Sequence, residues 1–436
     1  MDFSTKAKEE MAQILAKEIG KHIEAEELSN AEELENGLRE MLKEIGQETY
    51  RKVLENEDQK LGKRIECECG AKAKRISKRE AKVMTVFGSV SYGRSYYGCA
   101  QCGKKQHQVD ETWGMRPGEV SSVLGKLLAI VGVDIAFERA RRTIQEFLLV
   151  EVSDNTIRKQ TQLIGEKQAK IEEKWICDSL NEKWLQKRER EIKDEPERLY
   201  GSMDGVQVPV GEEWRELKII SWYQVAEVYG QERHKAQGIH YHSEIASVQD
   251  FGPLVWATGL RRRVDKAKEL IFVCDGAAWI WKLVEHYYPD AIQIIDWYHA
   301  CEYFTPIADA VFSQETERKD WLQKNKDYLW KGNMEAVLQA CQVFTQHRLA
   351  ADAAQKAITY FTNNAHRMKY AEYRAKGYWI GSGTVESACK QIATARLKIA
   401  GAHWTLSGAN ATAKARAAWL SNGDVFNALS SMPLTV

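Results

Sequence analysis

Three carboxylates stand where metal or acid–base chemistry would need them. Asp204 lies in "SMDGVQVPV" and Asp275 in "FVCDGAAWIW", both in strand-like runs and both followed by glycine. Glu386 follows a glycine-serine turn in "GSGTVESACKQIATARLKIAGAHW", where a helix is expected to open. Singly, each has a plain structural explanation. The aspartates suit strand-end turns. A glutamate in a first helical turn complements the helix dipole by about 0.3–1 kcal/mol, or pairs with Lys390 at i, i+4. Together, beside a topological switch point of a sheet, they offer an oxygen-only donor set. Such a set suits Mg²⁺ or Mn²⁺. Two such ions about 3.5–4 Å apart clamp the attacking and leaving oxygens of an in-line phosphoryl displacement. Gly205 and Gly276 would let a large ligand backbone come close.

A second constellation is made of thiols. Cys67-x-Cys69 and Cys99-x-x-Cys102 bracket "KVMTVFGSVSYGRSYYG". There Val83, Thr85 and Phe87 alternate, as do Val90, Tyr92, Arg94 and Tyr96, across an expected Gly88-Ser89 turn, which is a hairpin pattern. Cysteine pairs at both ends of a hairpin bring four thiolates round one structural Zn²⁺. Gly103 would let the chain turn under the metal, and His107 is a weaker substitute ligand. Disulfide pairing is the competing explanation. Nine cysteines, an odd number without a dense framework, argue instead for a reducing compartment.

Basic residues surround these groups. Arg158 and Lys159 sit in "SDNTIRKQTQLIG", where Ser153 caps the last helix of an expected helix-turn-helix. Arg261, Arg262 and Arg263 end a helix, and Lys390 and Arg396 follow Glu386; each is a candidate phosphate contact. Trp404 is a candidate base-stacking platform, against the simpler role of a core residue. Asp296-x-x-His299 follows a buried strand, with His299 placed to contact DNA or to bond Asp296.

The elements that must position these groups follow from periodicity and charge. A chain of 436 residues is too long for one ordinary domain. Its 44% hydrophobic content and 7 prolines mark a folded protein. Net charge is zero, but residues 1–60 hold 16 Asp/Glu against 9 Lys/Arg, whereas 63–82 hold eight Lys/Arg. That asymmetry is one signature of nucleic-acid binding. The N-terminus has no secretory h-region, and no apolar run is long enough to span a bilayer, so a cytoplasmic protein without a membrane partner is expected. Seven divisions result. Residues 1–62 are an acidic helical region, with Ser29 or Asn30 capping its second helix; 63–112 are a zinc ribbon; 113–196 are the helix-turn-helix and a linker helix. Residues 197–300 read as β-β-β-α-β-α-β, a mixed sheet with antiparallel strands first; 301–376 are an all-α insertion; 377–425 return to the core; 426–436 are a tail.

The stretches "SMDGVQVPV", "FVCDGAAWIW", "IIDWYHACEYF" and "GSGTVESACKQIATARLKIAGAHW" resemble the DDE-type insertion-sequence transposases of bacteria, closest to the ISKra-type group. They span most of 200–410. The resemblance implies a multidomain α+β and α/β protein with an RNase H-like core. It implies that Asp204, Asp275 and Glu386 are the catalytic triad holding two Mg²⁺ (or Mn²⁺) ions, with Asp296 and His299 accessory. It further implies double-stranded DNA as partner, at terminal repeats and target, a homo-oligomer on DNA, and strand cleavage followed by strand transfer in the bacterial cytoplasm. A non-catalytic DNA-binding derivative is the rival. A glycosidase pair would leave the thiols and basic helices unexplained.

Overall fold

The computed structural model describes residues 5–25, 28–192, 195–228, 233–421 and 423–431. The chain forms two compact units, residues 1–128 with 137–157, and residues 129–136 with 158–436. The first opens with helices Thr5–Glu24 and Ala31–Lys60. Asn30 accepts the Glu33 N–H at 3.0 Å, and the Glu33 carboxylate reaches back to the Ser29 N–H at 2.6 Å. These reciprocal bonds satisfy donors that a helix start leaves open.

Four antiparallel strands follow in the order β1 (Arg64–Glu66), β2 (Lys72–Thr85), β3 (Gly88–Gly98), β4 (Lys105–Gln106). The hairpin turn lies two residues earlier than expected. Thr85 pairs with Gly88, so Val86 and Phe87 make the turn rather than Gly88-Ser89. The Thr85 hydroxyl decides this, accepting the Phe87 N–H at 3.1 Å and donating to the Gly88 carbonyl at 2.9 Å. Gly88 takes the left-handed position at φ 97, which a side chain would resist. Asp58, on the preceding helix, accepts the Ser95 N–H and hydroxyl at 2.7 and 2.8 Å. Helices Ser122–Asp134, Phe137–Leu148 and Asp154–Ser179 come next. Ser153 caps the last of them, accepting the Thr156 N–H at 3.1 Å.

In the second unit β5 (Arg198–Val210), β6 (Glu213–Val228) and β7 (Arg233–Ile245) run antiparallel, as their β-branched and aromatic alternation requires. The helix Val248–Arg261 then crosses to β8 (Glu269–Cys274), and Ala278–Tyr287 crosses to β9 (Ile292–Ile295). The sheet order is β7-β6-β5-β8-β9, with β8 parallel to β5 and β9. Strand β8 reads as an apolar run after Glu269, and β9 as isoleucines broken by Gln293, because a parallel strand is covered on both faces. Ile271, Phe272, Ile294 and Ile295 accordingly share one core with Trp222 of β6 and with Phe304, Leu329 and Phe361 from the helices that fill residues 297–375.

The chain returns to the sheet through Gly383–Ala388, a π-turn at Cys389–Thr394, and the helix Leu406–Ser421. The expected tail, 426–436, starts inside a helix. Residues Gly423–Ser431 form a further helix, and its Phe426 and Leu429 are buried against Ala129, Val133, Ile164 and Ala415. Residues 432–436 lie outside the described residues. Nearby, a charged network is enclosed. Glu172 accepts from Lys414 at 2.5 Å and Gln168 at 2.8 Å, and meets His242 Nδ1 at 2.7 Å, with all four side chains buried. It ties the helix Asp154–Ser179 to β7 and to Leu406–Ser421.

Candidate active site

The register of the sheet brings the two aspartates to one edge. Strand β5 pairs with β8 only as far as Gly201 with Phe272, so Asp204 projects past the carboxyl end of β8, where Asp275 directly follows. Asp204 Oδ1 accepts the Gly205 N–H at 2.7 Å, and Asp275 Oδ1 accepts the Ala277 N–H at 2.9 Å. Glu386 arrives from the far end of the chain on a strap across the sheet. Arg198 at the start of β5 donates to the carbonyls of Gly377 and Lys376, Tyr200 accepts the Trp379 N–H, and Ile380 accepts the Trp297 N–H. Ser382 then opens the Glu386 helix, its hydroxyl 3.3 Å from Glu386 Oε1.

The π-turn behind Glu386 adds a group that the sequence did not announce. Cys389 Sγ donates to Asp204 Oδ2 at 3.1 Å. Burial pushes this thiol far up, and the negative charges of Asp204, Asp275 and Glu386 push it further. Burial also raises the Asp204 carboxyl above its ordinary value; the Cys389 and Gly205 hydrogen bonds oppose the rise, while Asp275 and Glu386 reinforce it. The Cys389–Asp204 contact brings the Glu386 helix to the edge that carries Asp204 and Asp275.

Comparison with known proteins bears directly on this neighbourhood. Residues 256–397, which carry Asp275 and Glu386, match the model of a family described as Transposase, of the DDE type and the ISL3 group. Residues 256–397 thus carry a domain of the DDE-type insertion-sequence transposases. Residues 24–228, which carry Asp204 and the four cysteines, match an uncharacterised protein family, UPF0236. No curated protein matches the chain.

The thiols are gathered more tightly than the carboxylates. Among the described residues, Cys67, Cys69, Cys99 and Cys102 alone form a group of ligand-type side chains within 4.8 Å of one another. The Sγ separations are 3.6 Å for Cys67–Cys102 and 3.7 Å for Cys69–Cys99. A tetrahedral zinc with bonds of about 2.3 Å sets its sulfurs roughly 3.8 Å apart. The backbone N–H groups of Cys102 and Gln101 bring the Cys99 thiol down to about 6, toward the thiolate that a metal needs. His107 is turned away from the cluster, its Nδ1 3.0 Å from the Ser95 carbonyl and its ring against Tyr96.

Several residues expected to face DNA are engaged within the protein. Arg396 is 1% exposed, donates to the Gly132 carbonyl at 2.9 Å and lies over the Trp404 ring. With Arg416, which donates to Val133 and Asp134, it satisfies the open carbonyl end of the helix Ser122–Asp134. Trp404 is buried and donates to the Leu397 carbonyl, so the simpler core role holds for it. Arg261 pairs with Asp178 at 2.6 Å over the rings of Trp175 and Trp184, and Arg262 donates to Gly238. Arg263 holds a left-handed backbone at φ 63. Arg158 bonds Gln162 at 2.9 Å, whereas Lys159 and Lys390 are exposed.

Both glycines are packed against side chains of the protein. A Cβ on Gly205 would stand 2.3 Å from the Glu216 carboxylate, and one on Gly276 would stand 2.2 Å from the Tyr360 ring. The His299 side chain does not reach Asp296; it is half-exposed, 3.4 Å from Glu302, and its backbone N–H makes the Asp296 bond instead. Spacing carried the one usable signal for Cys389, since i, i+3 from Glu386 puts it on the same helix face.

Proposed function

We propose that this protein binds the ends of its element and cuts and joins DNA strands at Asp204, Asp275 and Glu386, in an RNase H-like core interrupted by the helices of residues 301–376. The observation that supports this is geometric: the register of β5 with β8 sets Asp204 beside Asp275, and the Cys389–Asp204 contact brings the Glu386 helix to the same edge. The sheet order, three antiparallel strands followed by two parallel ones, supports the RNase H-like core. An ISKra-type affiliation remains our proposal within the wider family, as do a cytoplasmic location and a homo-oligomer on DNA. Among the described residues, no helix is long and apolar enough to cross a membrane.

The donor set fits hard divalent cations, with carboxylate oxygens from three elements and charge that such ions would balance. Two bound Mg²⁺ or Mn²⁺ ions would supply charge neutralisation and an activated water or 3′-hydroxyl. Asp204 and Asp275 provide the fixed half of the site, because their strands are locked in the sheet. Glu386 provides the half that the strap must deliver. Cys389 orients Asp204 by holding Oδ2. The direct test is cleavage of a labelled duplex carrying the sequence that flanks the gene, with Mg²⁺ or Mn²⁺. No nicking in either ion would refute the proposal.

The end-binding part is assigned to the zinc ribbon and to the helices that carry Arg158 and Lys159. Because phosphate contacts release counterions, Arg158→Ala with Lys159→Ala should lower affinity for end DNA and shallow its log–log salt slope by about 1.8. A slope equal to the parent's would remove these residues from the interface. The four thiols should hold about one zinc per chain. Mass spectrometry under native conditions checks this, and zinc retained after Cys→Ser at positions 67, 69, 99 and 102 would place the metal elsewhere.

A further inference from the structure

Asp296 is fully buried, and each oxygen of its carboxylate takes a backbone N–H. Oδ1 accepts from His299 at 2.6 Å and caps the helix Trp297–Glu302. A cap of this kind needs only one oxygen. Oδ2 accepts the N–H of Ser382, 86 residues further along the chain. The backbone of Asp296 reaches the other way, its N–H donating to the Cys274 carbonyl at 2.8 Å, one residue before Asp275. On the far side of the Oδ2 bond, the Ser382 carbonyl accepts the N–H groups of Val385 at 2.9 Å and Glu386 at 3.2 Å. Residue 296 therefore joins the strand that directly precedes Asp275 to the turn that begins the Glu386 helix.

We infer that Asp296 is a positioning residue: by holding the Ser382 N–H it fixes Glu386 relative to Asp275, and so sets the cation affinity of the three-carboxylate site. This rests on those carboxylates being a cation site, as proposed above. Helix capping explains Oδ1 but leaves Oδ2 without a purpose. A carboxylate suits the task because it is acceptor-only, and charge-assisted bonds are roughly twice as strong as neutral ones. Asparagine has the same shape but a single acceptor oxygen, so it can serve His299 or Ser382 and not both.

The test uses the full-length chain as parent, Asp296→Asn, Ser382→Pro, Ser382→Ala and Glu386→Gln. Ser382→Pro deletes the donor while leaving Asp296 intact, so it reads the same contact if Asp296→Asn fails to fold. Ser382→Ala keeps the N–H and removes the hydroxyl. Two quantities are measured: amide hydrogen exchange without divalent ions, and Mn²⁺ affinity from the electron paramagnetic resonance signal of the free ion. Asp296→Asn and Ser382→Pro should speed exchange across residues 378–388 by about tenfold, with 269–274 unchanged. Both should weaken Mn²⁺ binding by about 10–100-fold, as loss of a group supporting a metal ligand does. Ser382→Ala should match the parent in exchange. Glu386→Gln should weaken Mn²⁺ binding with exchange unchanged. Parent-like Mn²⁺ affinity in Asp296→Asn or Ser382→Pro, beside weakened Glu386→Gln, overturns the positioning role alone. Parent-like affinity in Glu386→Gln overturns the cation site itself. Faster exchange in Ser382→Ala equal to that in Ser382→Pro assigns the effect to the hydroxyl and overturns the role of the Asp296 contact.

Discussion

Replacing Glu386 by glutamine is expected to reduce Mg²⁺-dependent cleavage of a labelled element end on the order of 10³-fold, in a protein that still folds and still binds the end. The folded state asks little of this carboxylate. Its side chain is 46% exposed, with Lys390 4.0 Å away and the Ser382 hydroxyl at 3.3 Å. As a dipole complement it is worth at most about 1 kcal/mol, and an exposed i, i+4 pair adds about 0.3–0.5 kcal/mol. Glutamine keeps the size and most of the helix propensity, so a large loss of cleavage isolates the charge. Asp204→Asn and Asp275→Asn should each cost nearly as much as all three changes together, because groups that act as a unit are not additive. Gel analysis of nicked product at fixed Mg²⁺ measures all of these. Cleavage by Glu386→Gln at close to the parent rate would leave that residue as a helix-start carboxylate and nothing more.

The second large effect is on stability. Glu172→Gln is expected to destabilise the protein by about 3–5 kcal/mol, because it strands the buried ammonium of Lys414. Glu244, 3.6 Å from that ammonium, is a looser and partly exposed partner. The double change Glu172→Leu with Lys414→Met should cost much less, since two apolar groups leave no charge unpaired. Burial alone would raise the Glu172 carboxyl, but Lys414 and the hydrogen bonds from His242 and Gln168 bring it to about 2, against an ordinary 4.5. A carboxyl depressed on folding contributes stability above its unfolded pKa and loses it as pH falls through the folded one. The gap between parent and Glu172→Gln in urea midpoints should therefore be full above about pH 4.5 and should close toward pH 2. Equal midpoints at pH 7 would show that the network contributes nothing net.

Much of this was legible in the residues. Alternation over Val83–Tyr96 gave the hairpin, and the apolar runs of β8 and β9 gave two buried strands, because periodicity reports burial directly. The turn was misplaced because a threonine side chain, not the glycine beside it, chose the two loop residues. The carboxylates were visible as Asp-Gly pairs and a glutamate after a Gly-Ser turn. Their glycines were visible too, but for another reason, since no one-dimensional pattern shows that Tyr360 would come to lie on Gly276. Arg396 misled because a basic residue on a helix reads as solvated until its partner, a carbonyl 264 residues away, is known. Glu172, His242 and Lys414 failed to stand out for the same reason: charged residues on three separate elements look like surface until the elements meet.

The strap that delivers Glu386 has a consequence for the timing of synthesis. Cys389 follows its partner Asp204 by 185 residues, and everything that fastens the strap, from Arg198 and Tyr200 to Asp296, is made before it. At translation rates of about 5–20 residues per second, the sheet and both aspartates emerge from the ribosome about 5–20 s before the last wall of the site does. During that interval a nascent chain can already carry a folded hairpin with its four thiols, yet its carboxylate edge lacks the third member. The segment that completes the edge must then dock onto a surface formed long before, which makes the final assembly step a non-local one. A chain that stops short of residue 377 would keep the part assigned to holding DNA and lack the part assigned to cutting it.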